Sequence, residues 1–141
     1  MQKQTITYTD FNDVERTEDF YFNLTATELL ELNKSIDGGF ETALANAVKT
    51  EDVLAVYALI QKTILAAIGQ KSEDGRFFKK TPEYTAEFEA SAAYQGLLDD
   101  FLNHPDRANA FVTGILPKEM RAKVAQVDQA KAMESLLSPA T

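Results

Sequence analysis

Two strand-like runs near the N-terminus constrain the fold more than any other feature of the chain. Residues 4–9 and 19–24 are rich in β-branched and aromatic residues, and polar residues separate them. Asn12-Asp13 is typical of a turn, so the two runs predict a β-hairpin. Three apolar residues of the second run alternate onto one face: Phe20, Phe22 and Leu24. An isolated hairpin is only marginally stable in water, so this face must pack on other elements.

The residues after the hairpin have the spacing of amphipathic helices. Thr25 and Glu28 fit a capping box, in which side chains and backbone amides of the first turn bond reciprocally, so a helix should begin there. Gly38-Gly39 should stop it, because glycine adopts the left-handed conformation at little cost. A second, short helix is predicted over residues 40–48.

A third helix should begin at Thr50-Glu51-Asp52, include Ile68 in its apolar stripe and end at Gly69. Further apolar residues widen its surface beyond one stripe: Leu54, Leu59 and Leu65. We therefore expect this helix to be central and to be contacted from more than one side.

Residues 69–82 form a distinctive connection between two predicted helices. Within it, Glu73-Asp74-Gly75 predicts a tight turn, and the turn is expected to belong to a small hairpin that carries Phe77 and Phe78. Thr81-Pro82-Glu83 is a helix start, and the helix it opens is predicted to continue to about Asn103. A short helix is expected over residues 107–114, and a final helix from Pro117 to roughly Leu137.

Together these patterns predict an α+β fold that is mostly α-helical. An N-terminal β-hairpin over about residues 4–24 packs on a compact bundle of about five or six helices that begins at residue 25. Residues 1–120 form one globular domain, and residues 117–141 add a C-terminal amphipathic helix with a frayed tail.

The composition excludes several classes of chemistry. The chain has no cysteine and a single histidine, so disulfides, thiolate catalysis and multi-histidine metal sites are excluded. We therefore expect no metal and no cofactor. The net charge is −8, which opposes binding to nucleic acid. The first 60 residues carry 11 acidic and 4 basic side chains, a net of −7. No apolar run reaches membrane-spanning length and no signal core is present, so we expect a soluble intracellular protein.

Candidate catalytic groups are few. Asp99-Asp100, Glu51-Asp52 and Glu18-Asp19 are sequence neighbours, whose side chains diverge on a helix, so solvated faces are favoured over an acid/base pair. His104 with Asp106 could act as a general base, but no partner motif supports it, and a turn position is favoured. The glycines lack the spacing of a phosphate-binding loop.

Two segments are the candidate interaction surfaces. The first lies in the connection before residue 82, where cations surround two aromatic rings: Arg76, Phe77, Phe78, Lys79 and Lys80. The acidic residues Glu73 and Asp74 halve the positive charge of this segment. A solvated turn anchored by its phenylalanines is favoured there, with nucleic-acid stacking and a protein contact as alternatives. The C-terminal stripe is the second surface: Met120, Val124, Val127 and Met133. Its helix could dock on its own core, on a sister subunit or on a client.

Two long runs of the chain are distinctive when taken together, residues 8–25 and 74–80. Shorter segments accompany them: Gly69, Lys71-Ser72, Glu83, Ala93-Tyr94, Ala110-Phe111 and Gly114–Pro117. In these segments the chain resembles the tail assembly chaperones of long-tailed phages and prophages of Gram-positive bacteria, and order and spacing agree over about residues 4–120. The family often has a glycine near Asp13 and an arginine at the position of Phe77, and this chain has neither.

The resemblance implies a non-enzymatic helper in tail morphogenesis. Such a protein is expected to bind the long, helical, apolar tape measure protein in the host cytoplasm, and to keep it soluble while tail tube subunits polymerise. It would then be absent from the mature virion. The tail tube protein is a second possible partner, and self-association a third. The rival interpretations are a structural virion component, such as a head–tail connector protein, and a small enzyme that uses His104.

Overall fold

In the computed structural model, which describes residues 1–115, six helices cover a four-stranded antiparallel sheet. The strands occur in the order β1-β2-β3-β4 across the sheet. Their bounds are β1 Gln2–Thr9, β2 Glu15–Phe22, β3 Ile68–Lys71 and β4 Phe78–Lys79. The helices are α1 Ala26–Lys34, α2 Gly39–Lys49, α3 Val53–Ala67, α4 Pro82–Glu89, α5 Ala92–Asn103 and α6 Pro105–Ile115. The mostly helical α+β class is thus confirmed.

Strands β1 and β2 form the predicted hairpin, in register from Gln2 opposite Phe22 to Thr9 opposite Glu15. Polar side chains bond across the pair, since Thr5 Oγ1 donates to Asp19 at 2.6 Å and the Thr7 and Thr17 hydroxyls lie 3.0 Å apart. Such cross-strand pairs stabilise a hairpin that has one solvated face.

The hairpin is half of a larger sheet, because β3 pairs antiparallel with β2 and β4 pairs with β3. The small hairpin expected in the connection before residue 82 is therefore confirmed. The assignment of Ile68 to the third helix is wrong, since α3 ends at Ala67 and Ile68 pairs with Phe22. The position after Ile68 requires glycine, because a β-carbon at Gly69 would lie 2.6 Å from a ring carbon of Phe78.

The helix starts follow the capping chemistry of the sequence. Thr25 is the N-cap of α1, and the reciprocal bonds with Glu28 measure 3.0 Å and 3.1 Å. Asp52 caps α3 by accepting the Ala55 amide at 3.1 Å. Each of these bonds satisfies an amide that lacks a partner within its helix.

The single helix predicted from Pro82 to about Asn103 is wrong, because two helices occupy that stretch. Helix α4 ends at Glu89, and Ser91 caps α5 by accepting the Tyr94 amide at 3.3 Å. The break brings the rings of Phe88 and Tyr94 to a centroid distance of 5.6 Å. Both rings enter one core, which a straight helix would not allow for residues six apart.

The core lies between the sheet and the helices and is built around aromatic rings. Phe22 is completely buried and packs edge-on against Phe111 of α6, with centroids 5.0 Å apart. Phe88 lies 5.9 Å from the same Phe22 ring, and Phe101 lies 5.0 Å from Phe111. The prediction that the apolar face of the hairpin packs on the helices is confirmed. The helix predicted from Pro117 to Leu137, with its stripe of Met120, Val124, Val127 and Met133, lies outside the described residues.

Candidate interaction surfaces

The turn between β3 and β4 is closed by a network of local hydrogen bonds. The Ser72 amide donates to the Phe77 carbonyl at 2.9 Å, and the Phe77 amide donates to Ser72 Oγ at 3.0 Å. Asp74 Oδ1 accepts from the Arg76 amide at 3.1 Å and from the Ser72 hydroxyl at 2.8 Å. These two bonds hold the pKa of Asp74 below its usual value. Gly75 allows the reversal with a φ of 75°.

The two phenylalanines of this turn have different environments. Phe77 is 55% exposed, and the Arg76 guanidinium lies 5.2 Å from its ring centroid. Phe78 is half-buried against Gly69. The expectation that the phenylalanines anchor the turn to the core therefore holds for Phe78 alone. Phe77 presents an aromatic face and a neighbouring cation to solvent.

Lys80 is turned into the protein, although the sequence groups it with the basic turn. Its ammonium group donates to the Asn23 carbonyl at 2.6 Å, to Glu28 Oε2 at 2.8 Å and to the Ala66 carbonyl at 2.9 Å. A lysine ammonium has three donors, so these bonds use all of them. Burial pushes the pKa of Glu28 upward, but the bonds from Lys80 and the Thr25 amide hold it below its usual value.

Helix α3 exposes apolar side chains near its N-terminal end. Leu54 is 80% exposed, Ala58 is exposed and Leu65 is half-buried, and their spacing places them on one side of the helix. The expectation that α3 is contacted on several sides is wrong at Leu54, whereas Leu59 is buried. An apolar cavity on the opposite side, between α2, α3, α5 and α6, has a volume of about 20 Å³. That volume holds about one water molecule, so it offers no room to a client side chain.

The tip of the β1–β2 hairpin carries exposed apolar residues that the sequence reasoning missed. Phe11 is 82% exposed and Val14 is 50% exposed. The sequence contained a signal for them, because an aromatic residue inside the polar turn Asp10-Phe11-Asn12-Asp13 has no strand face to occupy.

The residues considered for catalysis occupy structural positions. His104 follows α5 and is exposed, with Nδ1 3.1 Å from the Asp100 carbonyl and 3.2 Å from Asp100 Oδ1. The same carboxylate accepts from Arg107 at 2.5 Å. Over residues 1–115 no three His, Asp or Glu side chains are grouped to hold a metal ion. None of the helices described there is long and apolar enough to cross a membrane.

The fold and these surfaces define the class: a small α+β domain that displays apolar side chains on ordered turns and on one helix face. A model of the phage tail assembly chaperone family matches residues 1–139, so the chain belongs to that family. Membership of a chaperone family implies a role in assembly rather than in catalysis. Comparisons with curated proteins and with solved structures return no significant match.

Proposed function

We propose that this protein binds the tail tape measure protein and keeps it soluble during tail morphogenesis, without catalysing a reaction. It acts in the cytoplasm of the bacterial host and leaves before the virion matures. The observation that carries the proposal is the family match over residues 1–139. A chaperone of tail assembly needs a tail protein as its client, and a long, apolar, helical tape measure protein needs such help most.

The surface of the domain supports this role. Phe11, Leu54 and Phe77 expose large apolar side chains on three separate elements, and such side chains can cover the apolar stripe of a helical client. The net charge of −8 keeps the covered client in solution, because like-charged complexes repel one another.

The decisive experiment is coexpression with the tape measure protein encoded in the same phage or prophage, followed by fractionation and a pull-down on a tag carried by this chain. We expect the tape measure protein to move into the soluble fraction and to co-purify. A matched control coexpresses an unrelated acidic domain of similar size, because net charge alone can improve solubility.

A tape measure protein that remains insoluble, together with a tail tube protein that is not retained, would refute the proposal. Mass spectrometry of purified particles gives a separate test. Peptides of this protein in mature virions would favour a structural component, such as a head–tail connector protein.

A further inference from the structure

One carboxylate fixes the conformation of the hairpin tip, which we define as residues 10–16. Asp10 Oδ1 accepts from the Asn12 amide at 2.8 Å and from the Val14 amide at 3.0 Å. Asp10 Oδ2 pairs with Arg16 Nε at 2.5 Å, and the Asp10 amide donates to the Val14 carbonyl at 2.9 Å. A turn that is already ordered loses little conformational entropy when a partner binds.

The hairpin tip presents apolar groups to solvent. Phe11 and Val14 are exposed, and so are all the other residues from 11 to 19. Single exposed apolar residues are common on protein surfaces, but these two lie on one turn that is held by its own hydrogen bonds. Aromatic residues, phenylalanine among them, are enriched at protein interfaces relative to the rest of the surface.

The charge around the tip selects the partner. Residues 10–19 carry five acidic and one basic side chain, a net of −4. Arg16 is paired with Asp10, which leaves Asp13 and Glu15 unpaired by a cation within the tip, and Glu18 and Asp19 add negative charge further along β2. A second copy of this chain would bring the same negative charge, so self-association through the tip is opposed. A partner with cations beside apolar residues is favoured for the same reason.

We propose that the hairpin tip is a docking element for helical client segments that carry lysine or arginine beside an apolar stripe. Phe11 and Val14 insert among the apolar residues, and the surrounding carboxylates pair with the cations. The inference rests on the proposed function for the identity of the client. Truncating a central aromatic anchor weakens such interfaces by about 10- to 30-fold, which is the loss expected for Phe11→Ser.

The chain has no tryptophan, so Phe11→Trp places a single indole at the tip. The probes are overlapping peptides that cover the tape measure protein encoded in the same phage or prophage. Cationic apolar peptides should shift the indole emission of the Phe11→Trp variant to the blue, and raising NaCl from about 0.05 M to about 0.5 M should weaken the effect. Phe77→Trp is the matched control for charge, because Phe77 is also exposed but has the cation of Arg76 beside it, so its response to cationic peptides should be weaker. Circular dichroism establishes that both variants and Phe11→Ser remain folded.

The outcomes separate this inference from the proposed function. If no peptide shifts the emission of Phe11→Trp, while the wild-type chain still co-purifies with the full tape measure protein, the docking role is overturned and the function stands. A shift of equal size with acidic peptides, or a shift in the Phe77→Trp control alone, also overturns the docking role. A salt-sensitive shift in Phe11→Trp without any solubilisation of the full client supports the docking element and refutes the solubilising role in the proposed function.

Discussion

Replacing Lys80 with methionine should destabilise the domain, because its ammonium group joins three elements from inside the fold. It donates to Ala66 in the last turn of α3, to Asn23 after β2, and to Glu28 in the capping box of α1. The Ala66 carbonyl is one of the last four in its helix and has no partner within α3. Methionine keeps much of the lysine volume, so the substitution removes the charge and the donors with little loss of packing.

The expected cost follows from the bonds and from the exposure of their partners. A hydrogen bond to a charged group contributes about 1.5–3 kcal/mol. A simple sum over the three bonds would overestimate the cost, because the Lys80 and Glu28 side chains are both partly exposed. The Lys80 side chain is 18% exposed and the Glu28 side chain is 33% exposed, so water replaces part of what is lost. We expect a net destabilisation of about 2–3 kcal/mol, which corresponds to a fall in Tm of roughly 6–12 °C for a domain of this size.

Urea unfolding followed by far-ultraviolet circular dichroism measures this free energy by linear extrapolation. Lys79→Met is the matched control, because Lys79 is the exposed neighbour and loses the same charge. The control should change stability by less than about 0.5 kcal/mol. Equal effects of the two substitutions would refute the assignment of Lys80 to the interior.

The difference between wild type and Lys80→Met should also depend on pH. The folded pKa of Glu28 lies below the ordinary glutamate value of 4.5, so its contribution is present above that pH and is lost as the pH falls through the folded pKa. Without Lys80, only the bonds with Thr25 oppose the effect of burial, so the pKa of Glu28 should be higher than in the wild type. The two proteins should therefore differ most near neutral pH and converge in acid, which unfolding curves at several pH values would measure.

Two further predictions concern the sheet and the hairpin tip. Gly69→Ala should cost about 1–3 kcal/mol in urea unfolding, because its β-carbon would lie 2.6 Å from the ring of Phe78. Gly96→Ala in α5 is its control, since the nearest atom lies 3.8 Å away, and it should stabilise the protein by up to ~1 kcal/mol. Arg16 and the Val14 amide lower the pKa of Asp10, so the Val14 amide resonance in NMR spectra should titrate with a midpoint below the ordinary aspartate value of 3.8. A midpoint at or above that value would contradict the hydrogen-bonded turn.

The parts of the fold that were predictable depend on signals within a few residues of one another. The capping box at Thr25 and the alternation of Phe20 and Phe22 each lie within one turn or one strand, and the structure confirms both. The break between α4 and α5 was missed because alanines surround Ser91, and they favour a continuous helix. What separates the two helices is the shared core that Phe88 and Tyr94 enter, which no local pattern reveals.

The sheet was underpredicted for a related reason. Ile68 continues the helical spacing of α3, so the sequence favours helix at a residue that pairs with Phe22 in the structure. Strand β4 contains only Phe78 and Lys79, which is too short to show a period. Long-range pairing with β2 decides Ile68, whereas pairing with β3 decides β4, and neither pairing is visible in the local spacing of apolar residues.

In the turn before α4, the alternation of side chains along a strand separates the predicted interaction residues into an outward group and an inward group. Side chains alternate across a strand, so Phe77 and Lys79 face outward while Phe78 and Lys80 face the protein. A substitution at Phe78 or Lys80 that abolished client binding would therefore act through the fold, because both side chains contact the interior. Only substitutions at the outward residues test partner binding without also changing the stability of the fold. A test of this turn should accordingly compare Phe77→Ser with wild type in the coexpression experiment, with Lys80→Met as the control for lost stability.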